Sequence, residues 1–225
     1  MVIILVGASG GLGGYVGDAL ARKGHDVIGT YCTRAPAVLG IDDVHLDITD
    51  NASVLSLVAE LSCKRIVLVN MSGITCAAYT HKMSDGDWSR VMDVNLNGTF
   101  NLCKHFLPIM RQDGWGRIIN ISSVVAALGV PGTSAYAASK EGIVGLTRVI
   151  AKENADRGVT ANVLSLGYFD RVMIQDVPEK MLETIRGQIP MGRFGDPANI
   201  VAAIEFLIEA DYVTGAVIPI NGGLV

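Results

Sequence analysis

Val2-Ile3-Ile4-Leu5-Val6 runs directly into Gly7-Ala8-Ser9-Gly10-Gly11-Leu12-Gly13, and that turn runs into Tyr15-Val16-Gly17-Asp18-Ala19-Leu20-Ala21-Arg22-Lys23. Five continuous apolar residues read as a strand covered on both faces. The third segment reads as a helix that stops near Gly24. A strand, a glycine-rich turn and a helix in this order form a phosphate cradle. The glycines let the backbone turn tightly and approach a pyrophosphate, whose charge rests at the positive end of the helix. The spacing, Gly7-x-x-x-Gly11-x-Gly13, is looser than GxGxxG, and in a chain with 26 glycines such a run also serves plain turn geometry. The strand and helix on either side give it weight. No Gly-Lys-Ser/Thr follows the turn, which excludes a Walker loop.

The alternation continues to the C-terminus. Strands are expected at 2–6, 26–30, 43–46, 66–70, 116–121, 159–164 and 216–219, and helices at 12–23, 51–61, 87–111, 134–155, 178–187 and 196–208. Strand–helix alternation predicts an α/β protein, a Rossmann-type doubly wound parallel sheet with helices on both faces. No linker or repeat interrupts it, so residues 1–225 are expected to form a single dinucleotide-binding and catalytic domain. The irregular stretch 166–195, rich in Gly, Met and Pro, is the expected substrate lid.

Composition narrows the classes. Half the residues are apolar and 18% are charged, which excludes a disordered chain. A net charge of −4 gives no electrostatic reason to expect nucleic acid or an anionic membrane. No apolar run reaches the length of a membrane span, and the chain opens on a strand without the charged leader of a signal peptide. Cys32, Cys63, Cys76 and Cys103 lack CxxC spacing, and the four histidines lack ligand spacing, so no metal and no disulfide framework are expected. Reduced thiols point to a cytoplasmic protein. The segments 87–111 and 134–155 are too apolar all round for free surface helices, which predicts a subunit interface.

The second strand bears on the choice of dinucleotide. Its only carboxylate, Asp26, stands at the beginning, and no carboxylate follows from Val27 to Ile41. NAD-binding domains place an acid at the other end, on the ribose hydroxyls. Arg34 lies just past the strand end, where a guanidinium pairs with a 2′-phosphate, and Thr30 adds a hydroxyl. An ordinary solvated loop arginine is the competing reading of Arg34. NADP(H) is therefore expected, with NAD(H) as the alternative.

Tyr136-Ala137-Ala138-Ser139-Lys140 opens a helical stretch, so a phenol and an ammonium stand one turn apart on one face. An ammonium beside a phenol is expected to lower the phenol's pKa toward the working pH of a general acid/base. Ser123, at the end of the expected strand Gly116–Ile121, adds a hydroxyl where ligands meet an open sheet.

With these residues in view, the chain resembles a classical short-chain dehydrogenase/reductase over nearly its whole length. Residues 7–13 are similar to the family's TGxxxGxG turn, with Val6 in place of threonine. Asp47, followed by Ile48, matches the acid that contacts the adenine. Asn70-Met71-Ser72-Gly73 resembles NNAG, and Asp93-Val94-Asn95-Leu96-Asn97 resembles the segment with the catalytic asparagine. The resemblance implies a catalytic tetrad of Asn95, Ser123, Tyr136 and Lys140. In it Tyr136 donates a proton to a carbonyl oxygen that Ser123 positions. Lys140 tunes the phenol and binds the nicotinamide ribose, and Asn95 holds a water. The implied cofactor contacts are Gly7, Ser9, Gly10, Gly11, Leu12, Gly13, Thr30, Arg34, Asp47, Ile48, Asn70, Ser72, Gly73, Tyr136 and Lys140. Leu166-Gly167 replaces the family's Pro-Gly and Arg171 replaces a threonine, which leaves Gly167 and the Phe169 backbone to meet the nicotinamide. The C-terminal third resembles the 3-oxoacyl-acyl-carrier-protein reductase branch. The resemblance implies a homotetramer or homodimer that reduces a small carbonyl substrate, a 3-oxoacyl thioester or a small ketone, to the alcohol. An NAD(H)-dependent alcohol or sugar dehydrogenase, an epimerase and a dinucleotide-sensing module are the alternatives. About 60 residues after Leu164 leave little room for the substrate domain of an epimerase.

Overall fold

A computed structural model describes residues 1–33, 42–61, 65–170 and 179–225. Within them, seven strands form one sheet: β1 (Val2–Val6), β2 (Asp26–Tyr31), β3 (Asp42–His45), β4 (Ile66–Asn70), β5 (Gly116–Ser123), β6 (Val159–Leu166) and β7 (Val217–Ile220). Their spatial order is β3-β2-β1-β4-β5-β6-β7, and every neighbouring pair is parallel. The chain winds outward from β1 in one direction and from β4 in the other. The crevice between them, at the carboxyl ends of the strands, is where open α/β sheets take their ligands.

The helices are α1 (Gly11–Arg22), α2 (Asn51–Glu60), α3 (Asp85–Met92), α4 (Gly98–Asp113), α5 (Val124–Leu128), α6 (Ser134–Asn154), α7 (Glu179–Gln188) and α8 (Ala198–Glu209). Strand side chains alternate between two cores. Ile4, Leu68 and Ile118 pack with Leu57, Phe106 and Ile150 from α2, α4 and α6. Ile3, Val67, Ile119 and Leu164 pack with Val16, Ile200 and Ile204 from α1 and α8. Burying such a side chain contributes roughly 1.5–3 kcal/mol, which is why the central strands are apolar on both faces.

Two helical expectations need correction. The span 87–111 is not one helix: a π turn at Asp93–Asn97 separates α3 from α4. The Thr99 hydroxyl donates to the Asn95 carbonyl at 2.6 Å, and the widened turn holds the buried Asn95 side chain inward. Helix α5 was not expected, because five residues are too few to show a period. It forms because the Ser123 hydroxyl caps it, accepting from Val125 N at 3.2 Å, and Gly129 ends it in the left-handed region at φ +64°.

Register sets the height of the site. Val6 lies beside Asn70 and Asn70 beside Asn120, so the loops after β1 and β4 leave the sheet at one level. β5 continues three residues further, lifting Ser123 roughly 10 Å above that level. Among the described residues no helix is long and apolar enough to cross a membrane.

Candidate active site

The turn after β1 is folded on itself. Gly7 has φ +86°, and a Cβ there would lie 2.9 Å from Ser72 N in the loop after β4. A Cβ on Gly13 would overlap the Gly7 carbonyl oxygen. Ala8 N donates to Thr30 O at 2.9 Å, tying the turn to the end of β2. Ser9, Gly10 and Gly11 are exposed and Leu12 is half-buried. Helix α1 has no side-chain cap and no acid in its first turn, which leaves its first N–H groups and positive end open to an anion. A turn that admits no Cβ at Gly7 or Gly13 and ends in free donors fits a pyrophosphate.

Beside it, Thr30 is buried at the end of β2 and Ile48 is buried after β3. The Asp47 carboxylate accepts from Thr49 N at 2.9 Å and Thr49 Oγ1 at 2.7 Å, and these bonds hold its pKa below the usual carboxylate range. Arg34 lies outside the described residues, as do Cys63 and Arg171. Buried Asn70 donates to Thr99 Oγ1 at 2.8 Å, and its oxygen accepts from Ser72 N and Oγ. The loop carrying Ser72 and Gly73 is thereby fastened against the phosphate turn.

Ser123, Tyr136, Lys140 and Asn95 converge above the end of β5. A side-chain hydrogen bond links Ser123 to the Tyr136 phenol, and Lys140 Nζ lies 5.7 Å from the centre of the tyrosine ring. Lys140 is 4% exposed and donates to Ile121 O at 2.9 Å. The Ser122 hydroxyl donates to Lys140 O at 3.1 Å, which makes Ser122 the bracing neighbour and leaves Ser123 facing the cleft. Asn95 Oδ1 accepts from Ile74 N at 2.8 Å, while Nδ2 donates to Ile74 O and Ser139 Oγ. A Cβ on Gly73 would stand 3.4 Å from both Asn95 Oδ1 and Lys140 Nζ, so only glycine leaves the space between them open.

Burial decides the charges. It pulls Lys140 down to about 8, and it pushes Tyr136 above its ordinary value against the lowering by the Ser123 hydrogen bond. The expectation that Lys140 lowers the phenol is therefore corrected for the protein without cofactor. Desolvation of the phenolate is the largest influence on the group and outweighs the Ser123 hydrogen bond.

Residues that sequence reasoning passed over also build the site. Ser139, inside the Tyr-x-x-x-Lys segment, links Asn95 to Tyr136 by donating to Tyr136 O at 2.7 Å. Thr99 joins Asn70 to the Asn95 backbone. The only sequence signal was spacing, four residues after Asn95 and one before Lys140. On the far side of the cleft, Gly167 N donates to Ile220 O at 3.0 Å, and a Cβ there would lie 2.7 Å from Asn221 Cα. Phe169 is buried and bridges to Gly195. Cys103 is buried and its thiol is pushed up to about 12, so it is inert.

A parallel sheet wound in this order, with a glycine cradle at its switch point and a Ser–Tyr–Lys cluster beside it, defines a nicotinamide-dependent oxidoreductase. The family model described as "Enoyl-(Acyl carrier protein) reductase" matches residues 7–225. A 3-oxoacyl-acyl-carrier-protein reductase FabG of Thermotoga maritima is 38% identical, covering 100% of this chain and 97% of that protein. The FabG reductase of Pseudomonas aeruginosa is 37% identical, covering 99% and 96%. An acetoacetyl-CoA reductase of Shinella zoogloeoides is 36% identical, covering 99% and 97%. The chain belongs to the short-chain dehydrogenase/reductase family, in the branch of the FabG reductases.

Proposed function

We propose that this enzyme is an NADP(H)-dependent reductase of a 3-oxoacyl thioester or a similar small ketone. The observation that carries the reading is the Ser123 hydroxyl bonded to the Tyr136 phenol beside buried Lys140, at the sheet edge that also holds the glycine cradle. The names of the relatives support the substrate class.

Gly7, Ser9, Gly10, Gly11, Leu12 and Gly13 hold the pyrophosphate. Asp47 and Ile48 meet the adenine, and Thr30 and Arg34 meet the 2′-phosphate. Asn70, Ser72, Gly73, Gly167 and Phe169 surround the nicotinamide half, and Lys140 holds its ribose. The bound cofactor supplies the hydride. Tyr136 holds the proton at its phenol oxygen and gives it to the substrate oxygen, which Ser123 fixes by a hydrogen bond. Asn95 Oδ1 keeps a second lone pair toward the space beside Gly73, and a water held there connects Lys140 to solvent for reprotonation. Residues 166–195 cover the substrate, within one domain formed by residues 1–225. Reduced thiols support a cytoplasmic location.

The direct test is oxidation of NADPH with acetoacetyl thioesters, small ketones and an enoyl thioester. Turnover of the 3-oxo compounds without the enoyl compound is the expected result. Cofactor binding without turnover of any of them would overturn the reading.

Cofactor preference gives a second prediction. Arg34→Ala should weaken NADPH binding about ten- to a hundredfold, the size of one charge-assisted hydrogen bond, and leave NADH nearly unchanged. Equal losses for both, measured by fluorescence titration, would make Arg34 a bystander.

Helices α4 and α6 support assembly as a homodimer or homotetramer. Phe100 on α4 is 48% exposed and Val149 on α6 is 53% exposed. Replacing both by Glu should shift the protein to monomer in light scattering, because like charges would then be buried at the seam. An unchanged mass would place the interface elsewhere.

A further inference from the structure

A chain of hydrogen bonds runs in one direction between two parts of the site that lie far apart in sequence. The Ser72 hydroxyl donates to Asn70 Oδ1, and Asn70 Nδ2 donates to Thr99 Oγ1 at 2.8 Å. The Thr99 hydroxyl donates to the Asn95 carbonyl at 2.6 Å. Asn95 Nδ2 donates to Ser139 Oγ at 3.0 Å, and the Ser139 hydroxyl donates to the Tyr136 carbonyl at 2.7 Å.

Two hydroxyls set that direction, because each has one hydrogen to give. Thr99 spends its hydrogen on Asn95 and therefore accepts from Asn70, which turns the Asn70 oxygen toward Ser72. Ser139 spends its hydrogen on Tyr136 and therefore accepts from Asn95. This agrees with the amide orientation that the Ile74 N–H and carbonyl impose on Asn95. Asn70, Thr99, Asn95 and Ser139 are all buried. Away from water such bonds polarise one another, and a broken one leaves a group that no solvent pairs again.

The ends of the chain serve the two transfers of the reaction. A Cβ on Gly7 would lie 2.9 Å from Ser72 N, so the Ser72 loop sits directly on the phosphate turn. Tyr136 lies in the first turn of α6, one turn before Lys140. The bonds from Asn95 to Ile74 hold its amide to the loop after β4, and the bond to Ser139 carries that hold across to α6.

On the function proposed above, we infer that Thr99 and Ser139 are positioning residues. They tie the loop beside the cofactor to the helix that carries the phenol, so that the hydride donor and the proton donor keep one register. Both are too buried to meet a substrate, and they act through Asn95 and Tyr136. Loss of register is costly because both transfers need aligned atoms.

Turnover of an acetoacetyl thioester and binding of NADPH, measured on the parent and its variants, test the chain. Thr99→Val keeps the side-chain shape and removes the oxygen. It should lower kcat about tenfold, the size of one hydrogen bond, with NADPH affinity within about twofold of the parent. Thr99→Ser keeps the hydroxyl and loses the methyl, and should recover most of that turnover although its melting midpoint falls. Ser139→Ala should cost a factor similar to Thr99→Val. One break severs the chain, so the two together should also cost about tenfold, where independent contributions would cost about a hundredfold. If Thr99→Val does not fold, Ser139→Ala decides alone by kcat against NADPH binding. Parent-like kcat in Ser139→Ala, turnover that follows the melting midpoint rather than the hydroxyl, or a hundredfold loss in the double variant would each overturn the inference. A parent that reduces none of the 3-oxo compounds would overturn the function itself, and the positioning role with it.

Discussion

Tyr136→Phe should lower turnover roughly 10²–10⁴-fold, the usual contribution of a positioned general acid, and leave cofactor affinity nearly unchanged. The phenol oxygen is the only atom removed. The ring keeps its place against Lys140, whose Nζ lies 5.7 Å from its centre and stays bonded to Ile121 O. The fall should therefore appear in kcat, with NADPH binding by fluorescence titration matching the parent. The pH profile follows from the same environment. Burial raises Tyr136, so the acid form needed for reduction persists across neutral pH and is lost only as pH climbs through a pKa above the ordinary tyrosine value. The reverse oxidation, which needs the phenolate, should rise with pH over that range. Near-normal reduction by Tyr136→Phe would remove Tyr136 from the chemistry.

Much of this arrangement is legible in the sequence because its parts are local. The run Val2–Val6 followed by Gly7–Gly13 shows strand, turn and helix in one window, and the structure adds only why Gly7 and Gly13 admit no Cβ. Tyr136 and Lys140 are one helical turn apart, so their meeting needs only α6 to form. What could not be read depends on contacts distant in sequence. Asn95 faces inward because a π turn rotates it toward Ile74 and Ser139, and both partners are over 20 residues away. Helix α5 is held by a cap and a left-handed glycine rather than by periodicity. The same holds for the phenol: an ammonium one turn away suggests a lowered pKa, but depth of burial, a property of the packed whole, raises it.

Lys140→Met should abolish useful turnover and weaken cofactor binding, yet make the protein without cofactor more stable at neutral pH. Lys140 has a folded pKa of about 8 against an ordinary 10.5, because burial disfavours its charged form. Between those values the unfolded chain holds a proton that the folded chain has released. Stability of the parent therefore rises with pH through that window, and the full penalty of burying the charge is present below about 8. A separation of this size corresponds to about 3 kcal/mol. Methionine fills similar volume without a charge but abandons the bond to Ile121 O, which returns about 1 kcal/mol of the gain. The net expectation is about 1–2 kcal/mol of added stability at pH 7 and loss of the rise between pH 8 and 10.5, read from urea unfolding at several pH values. A less stable Lys140→Met protein at pH 7, or a parent whose stability does not rise over that interval, would show that the buried ammonium is already matched by its surroundings. The stabilised, inactive variant would instead identify Lys140 as a charge held at the fold's expense for the bound cofactor and the reacting proton.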